Sequence, residues 1–243
     1  GFRPDYAVYV YTKILKTLYP ETPVIIGGLE SSLRRIAHYD YWQNKIKPSI
    51  LFETGADLLV YGMGEKPLKE IVRLCKKGVP IANMNSVPQT AFITSKGKIP
   101  KNKIWEDLYL SSFEDCVKDK QVQFKNFRLF ETETNKMYGK RIIQDTENSS
   151  IVVNPPYPPF AYGELDESFE YPYMRAPHPR YKKRGPIPAF EMIKFSINSH
   201  RGCFGGCNFC ALAFHQGRSV RSRSIESVVE EAKLLTTMED FKG

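Results

Sequence analysis

Nine prolines and five tyrosines fall between residues 154 and 188, in the stretch NPPYPPFAYGELDESFEYPYMRAPHPRYKKRGPIP. Proline fixes φ and removes a backbone donor, so this stretch cannot run as a helix interior or a central strand. Regular structure must therefore form before residue 154 or after residue 188. We read the stretch as an extended connector between two folded parts, with an ordered lid as the functional alternative, because long loops often carry sites.

The pattern before the connector is layered. RPDYAVYVYTKILKTLYP (3–20) puts apolar residues on one helical face, with prolines suited to its first turn and its end. TPVIIGGLES (22–31) and ADLLVYGMGE (56–65) are short apolar strands that end in glycine, and EKPLKEIVRLCKKG (65–78) is a helix closed by two lysines and a glycine. Fully apolar strands of this kind mark buried parallel pairing. Residues 112–135 read as a long charged helix, and KRIIQDT (140–146) and SIVVN (150–154) as strands. The fold class is α/β, with an amino-terminal parallel-sheet layer domain over residues 1–110. A helix, strands and the connector fill 111–188, and a second unit begins at 189. That unit starts with a strand, FEMIKFSI (190–197), and continues to a helix, SIESVVEEAKLLTTM (224–238), in which Ser224 is the N-cap and Ser227 occupies N3.

Two smaller motifs stay open. GMGE (62–65), after a strand and before a helix, is either a plain turn or a set of backbone amides facing an anion. AHYDYWQNK (37–45) brings His38, Asp40 and Trp42 close in sequence, as a site or as a packing cluster. Packing is favoured, because aromatic rings with polar tips find partners when buried.

Bulk properties narrow the class. A hydrophobic share of 42% with 26% charged residues is ordinary for a soluble protein, and no apolar run is long enough for a membrane span. With no signal peptide ahead of the first element, a cytoplasmic setting with no membrane partner is expected. The opening GFRPDY and the closing MEDFKG suggest a piece of a longer protein. Five cysteines, an odd number, do not form a secreted disulfide framework. The net charge of +8 is concentrated: residues 175–223 hold ten Lys or Arg against Glu191 alone. That basic field suits an anionic partner, and equally suits a solubilising surface.

Its centre is RGCFGGCNFC (201–210), which spaces Cys203, Cys207 and Cys210 as C-x3-C-x2-C. The positions would share a helical face, but Gly202, Gly205 and Gly206 each cost about 1 kcal/mol in a helix relative to alanine. They favour a curled loop in which the sulfurs converge. A zinc site needs a fourth ligand, for which His200 or His215 is within reach along the chain. An iron–sulfur cluster takes closely spaced cysteines directly, and the spacing favours it. Three ligands on a four-iron cluster would leave one iron open. Cys75 and Cys116 lie on helical segments away from this loop and should be dispensable.

CFGGCNFC resembles the C-x3-C-x-aromatic-C motif of the radical S-adenosylmethionine (radical SAM) superfamily, Phe209 included. The wider string APHPRY…IPAFEMIKFSINSHRGCFGGCNFCALAFHQGRSVRSRSIESVVEE is similar to YgiQ-type, UPF0313-like radical SAM proteins, as is VIIGGLESSLRRIAHYDYW. The resemblance implies that Cys203, Cys207 and Cys210 ligate three irons of a [4Fe–4S] cluster and that the fourth chelates SAM. Phe209 would lie against the adenine. One electron would then cleave SAM to methionine and a 5′-deoxyadenosyl radical, which takes a hydrogen atom from a substrate of unknown identity. A flavodoxin or ferredoxin is the expected electron donor. The resemblance also implies that residues 189–243 begin a partial (βα)6 barrel and that the amino-terminal layer is cobalamin-binding-like, although no D-x-H-x-x-G histidine occurs. With one βα unit the chain should be inactive alone. Arg201 and Arg218 are basic neighbours of the cluster without assigned contacts. The competing expectation is a zinc- or cluster-stabilised nucleic-acid-binding module, with RNA as partner, carried by the basic segment and its tyrosines.

Overall fold

In LLVY (58–61), II (142–143) and IVV (151–153), successive side chains must point to opposite faces of a sheet, and all are apolar. Such strands need cover on both sides. The computed structural model, which describes residues 4–241, provides it. Leu59, Tyr61, Ile142, Ile151 and Val153 join one core, and Leu58, Val60, Ile143 and Val152 join the other.

In chain order, α1 (Ala7–Leu18), β1 (Ile25–Ile26), α2 (Gly28–Leu33), β2 (His38–Asp40), β3 (Lys45–Lys47) and α3 (Ile50–Thr54) come first. They are followed by β4 (Leu58–Val60), α4 (Glu65–Lys76), β5 (Thr90–Ser95), β6 (Asp107–Tyr109), α5 (Phe113–Lys118) and α6 (Lys120–Thr134). The hairpin β7 (Arg141–Asp145) and β8 (Ser149–Val153) closes this part. After the connector come α7 (Pro188–Ile193), β9 (His200–Gly202), α8 (Leu212–Gln216), β10 (Val220–Ser222) and α9 (Ile225–Thr236). No helix among the described residues is long and apolar enough to cross a membrane.

The chain divides into two units. One is built from the chain up to Pro158 together with Cys203–Arg218, and the other from Pro159–Gly202 and the chain from Ser219 onward. These do not follow the expected boundaries at 110 and 188. Residues beyond 110 supply β7 and β8 to the same sheet, and the cysteine segment packs with the first unit.

The first unit holds a mixed six-stranded sheet in the order β1-β4-β5-β8-β7-β6. Its outer pairings, β1·β4 and β6·β7, are parallel as expected, whereas the three central ones are antiparallel. The chain reverses in a tight turn between β7 and β8, where Thr146 N donates to Ser149 O at 2.7 Å. Three more readings are corrected. The helix expected over 112–135 breaks at Asp119, whose extended backbone ends α5 while its carboxylate caps α6 through Gln121 N at 2.8 Å. The strand expected at 190–197 is instead α7, because Pro188 presets its first turn and Lys194 N donates to Phe190 O at 2.9 Å. The βα unit expected to follow is, among the described residues, an antiparallel β9·β10 pair ahead of α9.

Arg35 is the largest fully buried side chain of the first unit, at 0% exposure. Its guanidinium lies 4.5, 4.5 and 4.6 Å from the ring centres of Tyr61, Phe130 and Phe214. It donates to Phe214 O at 2.9 Å and to Ser32 O. Burial holds its pKa down at about 10, and burial likewise pushes the Tyr61 hydroxyl up. Desolvated cation–π contacts are worth about 2 kcal/mol each at most sites of this kind, which offsets part of the cost of burying the charge. Arg35→Met keeps much of the volume and removes the buried charge, at the cost of two orphaned carbonyls, about 1–3 kcal/mol each. Arg35→Lys keeps a compact, strongly hydrated charge with no fork to reach both carbonyls. Urea denaturation followed by circular dichroism should rank the variants wild type, then Met, then Lys; a lysine variant as stable as wild type would refute the ring-box account.

In the second unit the connector is an ordered part of the fold. Asp166, in a short 3-10 turn, accepts from Ser224 N at 2.9 Å, beside the N-cap bond from Ser227 N to Ser224 Oγ at 3.1 Å. Arg223 lies 4.2 Å from the Phe169 ring centre and donates to Ser227 O at 2.8 Å and to Glu231. Arg175 of the connector reaches the other oxygen of Glu231 at 2.6 Å. Burial alone would raise the Glu231 pKa, but hydrogen bonds from Arg223 and Arg175 outweigh it and leave the carboxyl below its ordinary 4.5. A depressed carboxyl pKa adds stability that is present above the ordinary value and is lost as pH falls through the lowered one. Glu231→Gln, which breaks a buried pair, should cost about 3 kcal/mol at neutral pH. Below pH 4.5 the gap between the two proteins should close as wild-type Glu231 protonates, read from urea midpoints; a constant gap would sink the assignment.

Candidate functional site

β9 and β10 pair Gly202 with Val220 at the neck of the cysteine loop. Gly202 has φ +96°, and a Cβ there would collide with the Ser219 carbonyl oxygen, so only glycine closes this neck. Inside the loop, Cys210 N donates to Cys207 O at 3.0 Å, which turns the chain between the second and third cysteines. Gly205 N donates to Cys203 Sγ at 3.3 Å. A Cβ on Gly205 would sit 3.2 Å from Cys203 Sγ and 3.9 Å from Cys207 Sγ. The Cys203 sulfur thus approaches the Gly205 backbone more closely than a side chain there would readily allow, while Cys207 lies at ordinary contact distance. All three cysteines are free and exposed. The segment then forms α8, which anchors it: Phe214 packs in the first unit's core and stacks on Phe127 at 5.4 Å and 9°.

The cysteine segment walls a cavity of about 1260 Å³. Cys207, Phe209 and Cys210 line one side, α5 and α6 supply Val117, Gln123, Phe124 and Phe127, and the β2–β3 hairpin supplies His38 and Lys45. Phe209 itself is 92% exposed, open to a ligand rather than packed in a core. Arg218 pairs with Glu131 at 2.8 Å, and its Nη1 lies 3.9 Å from where a Cβ on Gly206 would be. Arg201, in the second unit, lies 4.9 Å from the Phe169 ring centre.

The trio from the aromatic knot separates. Asp40 accepts from Tyr6 OH at 3.1 Å and Gln43 N at 3.0 Å, and Trp42 meets the Tyr6 ring edge-on at 5.4 Å, so these two form the packing cluster. His38 instead lines the cavity. Its Nδ1 is 3.2 Å from Ile36 O, and burial is the main force that drives its pKa down to about 4. At neutral pH it is an uncharged ring with its proton on Nδ1. The GMGE turn is closed from the side by Gln89, which donates to Tyr61 O at 2.6 Å and to Met63 O. A Cβ on Gly62 would sit 3.2 Å from His215 O, so this glycine lets α8 approach the strand end.

The fourth-ligand candidates are not assembled with the cysteines. His200 is exposed, with Nδ1 3.1 Å from Ser199 Oγ, and His215 sits half-buried on α8 with its pKa lowered by burial and then by Arg35. Among the described residues, no group of three or more His, Cys, Asp or Glu side chains is arranged to hold a metal ion. The chemistry of the donors nevertheless suits an iron–sulfur cluster: three exposed thiols, none in a disulfide, on one loop. Arg35, Phe214 and Gln123, which shape this site, are not marked by any motif or periodicity in the sequence.

A family model described as radical SAM N-terminal matches residues 1–196. The chain belongs to this family. The match ends before the cysteine loop, but curated relatives align through it. The chain is 53% identical to a UPF0313 protein of Porphyromonas gingivalis, over 99% of the chain and 38% of the relative. It is 48% identical to one of Bacteroides thetaiotaomicron, over 99% and 40%, and 44% identical to one of Clostridium botulinum, over 100% and 37%. The chain thus spans about two fifths of the length of these relatives. No solved structure matches it.

Thiol chemistry tests the exposure of the loop. Cys75, Cys203, Cys207 and Cys210 are exposed, whereas Cys116 is buried, takes a hydrogen bond from Asn126 at 3.1 Å and has its pKa raised mainly by burial. A chromogenic disulfide should titrate four thiols quickly in the native chain and the fifth only on unfolding.

Proposed function

We propose that the chain carries the cluster-binding loop of a radical SAM enzyme, with Cys203, Cys207 and Cys210 as ligands of a [4Fe–4S] cluster and SAM at the open iron. The observation that carries it is the loop itself: three exposed thiols, none in a disulfide, within eight residues, with the Gly205 amide on the Cys203 sulfur. Bound cluster and SAM supply reductive radical chemistry that abstracts a hydrogen atom from substrate.

The chain's own residues do the rest. The Gly205 amide hydrogen-bonds the Cys203 sulfur, and such bonds tune a cluster's potential. Arg218 adds positive charge beside the loop and is itself fixed by Glu131, which suits a thiolate-rich, anionic group. Phe209, exposed on the cavity wall, is free to lie against an adenine. The largely apolar cavity offers room beside the cysteines for a substrate. A flavodoxin- or ferredoxin-type protein is the electron donor that this reading expects.

The nucleic-acid reading draws less support. Of the basic residues that motivated it, Arg175 and Arg223 share Glu231, Lys194 pairs with Glu191 and Asp240, and Arg218 pairs with Glu131. Those charges serve the fold's own ion pairs.

Anaerobic reconstitution with iron and sulfide should load about four irons per chain, as a cubane cluster requires. SAM should change the electron paramagnetic resonance spectrum of the reduced sample. Cys207→Ala should lose most of the iron and Cys75→Ala none. Equal iron in wild type and Cys207→Ala would overturn the ligand set, and stoichiometric zinc in its place would overturn the class.

A further inference from the structure

The sheet of the first unit is open at β1. That strand ends the order β1-β4-β5-β8-β7-β6, and among the described residues it pairs with β4 alone. Val24, Ile25 and Ile26 are all apolar, with none of the charges that commonly protect a free edge. Ile26 joins the first core and Ile25 packs against the second, so β1 has cover on both faces and is open along its side. Val24 O accepts from Asp57 N at 2.9 Å, on the β4 side. The Ile25 N–H belongs to the same trans peptide, so it points the opposite way, out of the sheet edge.

The helix ahead of β1 is turned to suit a wider sheet. α1 buries Thr12 and packs Val8 against the first core. Tyr11, Ile14, Leu15 and Leu18 form a stripe about a third of a turn away from Thr12, and these four are between 45% and 63% exposed. An amphipathic helix normally turns such a stripe inward. The hand of the fold says where its cover belongs. α1 packs on α3, and Val8, Ile50 and Leu51 share one core with Ile26, so both helices lie on the same face. On that face the chain passes from β1 to its parallel neighbour β4. Parallel crossovers are right-handed in about 98% of cases. A crossover through α1 on the same face keeps that hand only when its strand lies on the side of β1 away from β4.

We infer that the open edge of β1 is the docking site for a strand of the full-length protein's own polypeptide ahead of residue 1, parallel to β1, with α1 as its crossover helix. A carbonyl of that strand accepts the Ile25 N–H, and its side chains on the α1 face lie beneath Tyr11, Ile14, Leu15 and Leu18. The relatives have the length to supply it, since about three fifths of each lies outside the part that this chain matches. Parallel strands covered on both faces are near-continuous apolar runs, so this segment is rich in Val, Ile and Leu rather than alternating with polar residues.

Hydrogen exchange, read by mass spectrometry, compares the full-length protein with a chain that begins at residue 1. The Ile25 amide should exchange on the order of 100-fold more slowly in the full-length protein, as an amide bonded inside a sheet does. Ile14→Lys and Leu18→Lys should leave the urea midpoint of the shorter chain unchanged, because both side chains are already exposed there. In the full-length protein the same substitutions should lower the midpoint of this unit. Should a lysine variant fail to fold, the wild-type exchange comparison decides by itself. Equal exchange at Ile25 in the two proteins, or equal effects of the lysines on both, would overturn the inference. So would protection of Ile25 by residues added only after 243, which would give the edge to the other end of the chain. Protection that grows with concentration in the shorter chain, and is no greater in the full-length protein, would overturn it in favour of a second copy. The cluster reading stands or falls separately, on the iron content of wild type and Cys207→Ala.

Discussion

The first unit depends on one buried cation. Among the described residues Arg35 has no carboxylate partner; three aromatic rings and two carbonyl oxygens stand in for water around it. One ring and one carbonyl come from Phe214, on the helix directly after the cysteines, and the others come from the sheet, from α6 and from α2. A hydrophobic plug alone would bury Phe214 with little preference for its orientation. The planar guanidinium adds direction, because its fork reaches two particular carbonyls while its faces meet rings. The position of α8, and hence of the loop before it, is set by that geometry.

Glycines complete the placement by what they omit. Gly62 lets α8 approach the end of β4, Gly202 lets the neck of the loop close, and Gly205 lets the Cys203 sulfur come close to the backbone. Each is a close approach of backbone or sulfur that a methyl group would block. The second unit uses a different device. Glu231 binds two arginines at once, one from the connector and one from the start of α9, so a proline-rich stretch with little regular hydrogen bonding is held by charge. Breaking such a pair is costly even where its net contribution is small, so it fixes arrangement more than it adds stability.

Much of this was legible in the residues. ADLLVYGMGE (56–65) read as a buried strand, SIVVN (150–154) as a strand, Ser224 as an N-cap, and CFGGCNFC as a thiol loop rather than a helix. What failed was pairing direction and local breaks. Strand polarity in the sheet centre is decided by the turn at Thr146–Ser149 and by the insertion of β5, which apolar content does not reveal. FEMIKFSI has strand-forming residues, yet Pro188 two positions earlier starts a helix, so local propensity lost to a backbone constraint. Arg35 and Gln123 could not be found from spacing, because their roles depend on partners 179 and 86 residues away.

The anchored helix and the exposed thiols are complementary. Ordering a loop costs roughly 1–2 kcal/mol per residue in backbone entropy, and a cluster that had to order all of 203–218 would have to offset that from its own binding. Here α8, the Gly202 neck and the Cys207–Cys210 turn already restrict most of those residues. What a cluster would still organise is the short arc between Cys203 and Cys207, where the side chains are exposed and the backbone is glycine-rich. Metal binding and local folding are then coupled over a few residues only. The arrangement leaves the cavity wall standing whether or not the loop is loaded, because His38, Gln123, Phe124 and Phe127 sit on elements held by the Arg35 core and the β2–β3 hairpin.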